Sequence, residues 1–172
     1  MSSKKIGILT FHRGPNHGGY LQAYELAQAV KQLGYTAEII NYQNPTHFET
    51  ERFKPWVYRR PQKLWHAFRK NLAFRKAVAK LPLSKFTLNK DDINWEQYQA
   101  VLIGADVVWD YSQERLGQDK IYFGDFKNKF KGKLIAYAPS CGMAKPDQPI
   151  PDWIKSHLQE FNSLSVRDET TQ

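Results

Sequence analysis

The 172-residue chain has one cysteine, Cys141, which excludes an internal disulfide and agrees with a reducing compartment. No stretch approaches the ~18 to 20 consecutive apolar residues of a membrane span. The apolar run at residues 5–11 is too short, and too soon broken by His12 and Arg13, to read as a secretory signal. The expected location is therefore cytoplasmic. Neither the dinucleotide pattern G-x-G-x-x-G nor the P-loop pattern G-x-x-x-x-G-K-[ST] is present, which argues against NAD and ATP. Zinc-finger spacing and RNA-binding signatures are missing too, so no metal, no cofactor and no nucleic acid partner is expected.

Acidic residues are missing where the chain is most basic. Residues 52–90 carry 12 of the 25 lysines and arginines and no Asp or Glu, leaving 13 basic against 17 acidic residues elsewhere. The basicity thus belongs to one segment. Within it Leu64, Trp65, Phe68, Leu72, Ala73, Ala77 and Leu81 recur at helical spacing among Lys63, Arg69, Lys70, Arg75, Lys76 and Lys80, the pattern of a basic amphipathic helix. Three readings are open: a solvated face over a packed one, a surface for anionic lipid headgroups, or a surface for a polyanion. Between the last two, a membrane surface or a lipid-linked acceptor is favoured over nucleic acid.

Around that segment the chain alternates strand and helix. Strand-like runs fall at residues 5–11, 37–42, 100–104, 134–138 and 163–166, and helical patterns at 20–33 and 153–161. About five strands joined by crossovers imply an α/β fold, a Rossmann-like parallel sheet flanked by helices. A single lobe over residues 1–172 is expected. Pro45, Pro55, Pro61 and Pro82 punctuate the basic region, which reads as a helical insertion at about residues 45–92.

Chemistry concentrates where strands end. Residues 12–19, His-Arg-Gly-Pro-Asn-His-Gly-Gly, lie between the first strand and the first helix, the position at which open α/β sheets hold anions and sugars. Gly18 and Gly19 serve either a tight turn alone or a ligand approached by His12, Arg13, Asn16 and His17. The third strand ends at Gly104, with Asp106 two residues on. That carboxylate either caps the following turn or binds and deprotonates a sugar hydroxyl. After the fourth strand, Ser140 is placed to donate to a ligand oxygen. Cys141 has no neighbouring base or acid in sequence to activate it and reads as a small, partly buried residue. Arg167 closes the last strand, either gripping phosphate or carboxylate or pairing with Asp168 or Glu169.

Five motifs in order, Ile6-Gly-Ile-Leu-Thr-Phe-His12, Asn16-His-Gly-Gly-Tyr-Leu-Gln-Ala-Tyr24 with Leu33-Gly-Tyr35, Ile103-Gly-Ala-Asp-Val-Val-Trp109, Ala136-Tyr-Ala-Pro-Ser140 and Ser165-Val-Arg167, resemble the amino-terminal half of the polysaccharide pyruvyl transferase family. The family's G-S-D-x-x-W-N motif has Ala105 for Ser and Asp110 for Asn here, which removes a hydroxyl at 105.

The resemblance implies one lobe of a GT-B-like two-lobed enzyme, with a second lobe expected beyond Gln172. It implies transfer of pyruvate from phosphoenolpyruvate, the donor substrate, to two hydroxyls of a sugar in a cell-surface polysaccharide. This chain would form the acceptor side and, alone, bind acceptor weakly and catalyse nothing. The candidate catalytic residues are Asp106, His12 and His17. Arg13 and Arg167 are candidate anion contacts and Trp109 a sugar-stacking ring. Asn16, Gly18, Gly19, Gln22, Gly104 and Ser140 complete the candidate substrate-binding set. The partners implied are a saccharide acceptor, lipid-linked in one version, and an anionic membrane surface met by residues 52–90. Two other readings stay open: a nucleotide-sugar-dependent glycosyltransferase lobe and a non-catalytic membrane-surface lobe.

Overall fold

A computed structural model describes residues 5–113, 118–144, 147 and 149–172. Among them five strands, β1 (Lys5–Leu9), β2 (Thr36–Ile39), β3 (Ala100–Gly104), β4 (Lys133–Tyr137) and β5 (Ser163–Ser165), form one wholly parallel sheet. The order is β2-β1-β3-β4-β5. Four helices accompany it: α1 (His17–Gln32), α2 (Pro45–Glu51), α3 (Pro61–Val78) and α4 (Asp152–Leu158). This is the Rossmann-like α/β arrangement read from the alternation of elements. The chain leaves β1 for β2 on one side and returns to β3 on the other, so the carboxyl ends of β1 and β3 flank the crevice where ligands of open α/β sheets bind.

Side-chain alternation along the strands divides the core. Ile6 and Ile8 of β1 and Ala100 of β3 face Ala23, Leu26, Ala27 and Val30 of α1. Leu9, Val101, Ile103, Leu134 and Ala136 face an aromatic layer that includes Trp95, Trp109, Tyr122, Phe123, Phe126 and Phe130. Each large side chain sealed in this way contributes about 1.5 to 3 kcal/mol. Helix α1 ends at Leu33, and Gly34 follows at a φ of 84°, the left-handed conformation that glycine adopts after a helix.

The basic region departs from its sequence pattern in two ways. Helix α3 packs through Phe74 and Val78, followed by Leu81, against α1, whereas Trp65, Phe68 and Leu72 are exposed. The periodicity located the helix but not its buried side, because α1 covers only one flank of it. Nor is the whole segment an excursion from the sheet. Residues 82–87 return along the outer edge of β2, with Leu83 paired to Ile39 and Thr87 to Tyr42 in parallel bridges, and so occupy backbone groups that an edge strand leaves open.

Candidate functional site

The β1–α1 loop is shaped by its own polar groups. Asn16 caps α1, its side-chain carbonyl accepting from the Gly18 N–H at 2.9 Å, which satisfies a helix-end donor. Gly19 is buried. A Cβ there would come within 3.3 Å of an Asp106 carboxylate oxygen and 3.4 Å of the Phe11 carbonyl, so glycine brings the first turn of α1 against the loop after β3.

Gln22 ties the two loops together. Its Nε2 donates to Thr10 Oγ1 at 2.8 Å, the Gly19 carbonyl at 3.1 Å and the Phe11 carbonyl at 3.2 Å, while its Oε1 accepts from the Ala105 N–H at 3.1 Å. The amide is engaged by the protein at both ends and acts as a strut. Gly104 has a φ of 123°, and a Cβ would run into the Tyr137 carbonyl of β4. Only glycine lets the chain turn here without strain.

Asp106 stands at the centre of this rim. Its Oδ1 accepts from the Val107 N–H at 2.8 Å and its backbone carbonyl from the Ser140 N–H at 2.9 Å. Burial pushes its carboxyl above the usual carboxylate range, opposed by the Val107 N–H and the charge of Arg167. Ser140 is buried, and its hydroxyl accepts from the Gly142 N–H at 3.1 Å. Arg167 is half-exposed, with Nε 3.8 Å from Asp168. The ends of β1, β3, β4 and β5 thus bring Gly19, Gln22, Gly104, Asp106, Ser140 and Arg167 to one rim.

The remaining candidates lie elsewhere. His12 is buried, with Nδ1 2.9 Å from the Thr10 carbonyl and Nε2 3.1 Å from Asn41 Oδ1. Both neighbours are acceptors, and a neutral ring donates to only one. Burial lowers the pKa of His12 and outweighs both hydrogen bonds. Arg13 donates to the same Asn41 Oδ1 at 2.8 Å and lies 4.3 Å over the Phe86 ring. His17 and Gly18 are exposed at the start of α1, the His17 ring meeting Phe74 of α3 edge-on at 6.4 Å.

Trp109 corrects its expected role. It is only 3 % exposed, its ring stacks on Phe123 and its indole N–H donates to the Tyr122 carbonyl at 2.8 Å. A ring sealed in the aromatic layer has no face to offer a sugar.

Four polar residues beside the rim escape the sequence reading: Asn41, Gln43, His47 and Glu51. Asn44 and Pro45 start α2, the Asn44 side chain accepting from the Thr46 N–H at 2.9 Å. The helix then sets buried His47 and Glu51 one turn apart, Nε2 to Oε1 3.0 Å. Gln43 Nε2 donates to Glu51 Oε2 at 2.7 Å. The charges of Glu51 and His47 reach Asp106. The available signal was His-x-x-x-Glu behind an Asn-Pro helix start.

Chemically, the rim offers a half-buried carboxyl suited to exchanging a proton with a hydroxyl, with the charge of Arg167 reaching it, while Arg13 and His12, a histidine whose charging burial opposes, line a small pocket under the β1–α1 loop. Among the described residues no group of three His, Cys, Asp or Glu could hold a metal ion, and no helix is long and apolar enough to cross a membrane.

A family model described as polysaccharide pyruvyl transferase matches residues 16–172. No curated protein and no solved structure matches the chain.

Proposed function

Because the chain belongs to the polysaccharide pyruvyl transferase family, we propose that its strand-end rim is the acceptor side of a site that moves pyruvate from phosphoenolpyruvate onto a saccharide, in one lobe of a two-lobed enzyme. The acceptor is a sugar of a cell-surface polysaccharide. The observation that carries the reading is the convergence on Asp106 of Gly19, Ser140 and Arg167 from three other strand ends.

The chemistry joins two sugar oxygens to C2 of the donor. The methylene carbon gains a proton, the C2–phosphate oxygen bond breaks, and the two hydroxyl protons end on the new methyl group and on phosphate. Asp106 orients one hydroxyl and takes its proton. Arg167 and Arg13 hold anionic groups of the donor or of the developing charge, and His12 and His17 are secondary proton carriers.

Acceptor-dependent phosphate release from phosphoenolpyruvate by the intact enzyme tests this. Asp106→Asn is expected to lower it by about 100-fold or more, the usual reach of a general base. Unchanged turnover in that variant would remove the base assignment, and release of nucleoside diphosphate from a nucleotide sugar would favour glycosyl transfer.

A second element of the proposal concerns residues 52–90. Trp56, Val57 and Trp65 are exposed in a span with 12 basic and no acidic residues, a composition suited to peripheral docking on anionic headgroups at the inner face of the membrane. Salt-sensitive liposome binding, weakened by Trp65→Ala, is the expected result.

A further inference from the structure

A cavity of about 530 Å³ lies where the β1–α1 loop, α2 and α3 meet, lined by Arg13, Arg52 and Arg75. Its apolar walls include Phe53, Phe68 and Phe86, and Gln43 and Asn71 add side-chain amides. We propose that this cavity binds a glycosyl phosphate or diphosphate, the guanidinium groups holding the phosphoryl oxygens and the phenylalanine and amide walls receiving the sugar.

Charge is the first support. Arg75 has no ion-pair partner among the described residues, and Arg52 reaches only Glu49, at 3.7 Å and in solvent. Arg13 spends one donor on Asn41 and keeps the rest of its five. Burial first, and the charge of Arg75 next, hold Arg13 below its usual value, so two cations share one field. Their repulsion costs free energy that a bound anion reverses. Glu51 also lines the cavity, but Gln43 and His47 both hold its carboxylate.

Shape is the second. A space of this volume falls in the range of small-molecule sites and exceeds what a lone phosphate or a three-carbon acid fills. Phe53 and Phe68 stand with centroids 6.4 Å apart, and Phe48 and Phe86 5.9 Å apart, a wall suited to the apolar face of a sugar ring. Position is the third. Arg13, Gln43 and Glu51 also line the small pocket under the β1–α1 loop that His12 and His47 share, so the cavity adjoins the polar groups at the end of β1.

The proposal deepens the acceptor reading and rests on it for the sugar's fate, but binding is measured without turnover. Calorimetry with the chain and glucose 1-phosphate, glucose, or phosphoenolpyruvate is the test. Glucose 1-phosphate is expected to bind at least about tenfold more tightly than either of the others. Arg75→Gln, on an exposed stretch of α3, is expected to lower its affinity about tenfold, the scale of a lost charge-assisted contact. Lys63→Gln, on the same helix outside the cavity, should leave it unchanged, with circular dichroism confirming that both variants fold. Equal binding of glucose, preference for phosphoenolpyruvate, or equal effects of the two substitutions would overturn the proposal. Arg75-dependent binding without acceptor-dependent phosphate release by the intact two-lobed enzyme keeps the cavity and discards the transfer reading; phosphate release by that enzyme without Arg75-dependent binding does the reverse.

Discussion

The sheet and the basic segment solve electrostatics in opposite ways. Around the sheet, charges find partners: Lys5 lies 2.8 Å from Glu38, Lys129 lies 2.8 Å from Asp91, and His47 lies 3.0 Å from Glu51. Polar side chains at the rim are likewise tied into loops, as Gln22 and Ser140 are. Residues 52–90 place 12 cations with no acid of their own and leave Trp56 and Trp65 in solvent. One region holds a geometry and the other presents positive charge without acids of its own. On the proposed reading, a transfer site that fixes a hydroxyl while gripping an anionic acceptor uses both.

The largest expected effect breaks the rim side of that comparison. Asp106→Asn should cut acceptor-dependent phosphate release by about 100-fold or more while Arg75→Gln acts on glycosyl phosphate affinity alone. Were both variants to lower only affinity, the two regions would share one binding role.

Stability should separate the regions next. Trp109→Ala is expected to cost about 3 to 5 kcal/mol, read from urea unfolding, because it empties a packed aromatic layer and orphans the Tyr122 carbonyl. Trp65→Ala, at a ring 58 % exposed, should stay within about 0.5 kcal/mol. Gly104→Ala falls between them. A non-glycine residue at a φ of 123° with the Tyr137 carbonyl in its way should cost at least about 1 to 3 kcal/mol.

The smallest effect is one of pH. The raised pKa of Asp106 means that the folded state holds its proton more tightly than the unfolded state. Its contribution to stability is therefore lost as pH rises from the ordinary carboxylate value through the raised one. Asp106→Asn should gain stability relative to the parent across that window, seen as a growing difference in urea midpoint between acid and neutral pH. His12 works in the other direction. Its lowered pKa keeps it neutral when folded, so stability falls as pH drops below the usual histidine value, and its ring protons should titrate below that value in NMR.

What the sequence discloses follows from which forces act locally. Parallel strands announce themselves by short apolar runs closed by Gly104, or by Pro139 and Ser140, and those features were legible. The capping of α1 by Asn16 is also a local event, but the helical pattern reads from residue 20 and Asn16 as a ligand contact, whereas the helix begins at His17. The burial of Trp109 was not legible, because its inward turn depends on Phe123 and the Tyr122 carbonyl, which belong to a later segment. The packed side of α3 escaped for the same reason: the choice of Phe74 over Phe68 is made by α1. His47 and Glu51 were passed over within a region read as an insertion, although their spacing was in view. Their place beside Asp106 comes from β2 lying next to β1, a pairing that periodicity does not encode.

The central claim is that a saccharide sits at the rim formed by the ends of β1, β3, β4 and β5. Amide chemical-shift mapping with a saccharide acceptor tests it most directly. The account predicts perturbations gathered at residues 19–22, 104–107, 140 and 167. Perturbations confined to the apolar groove lined by Val30, Leu33, Leu102 and Ile135, with the rim silent, would contradict it.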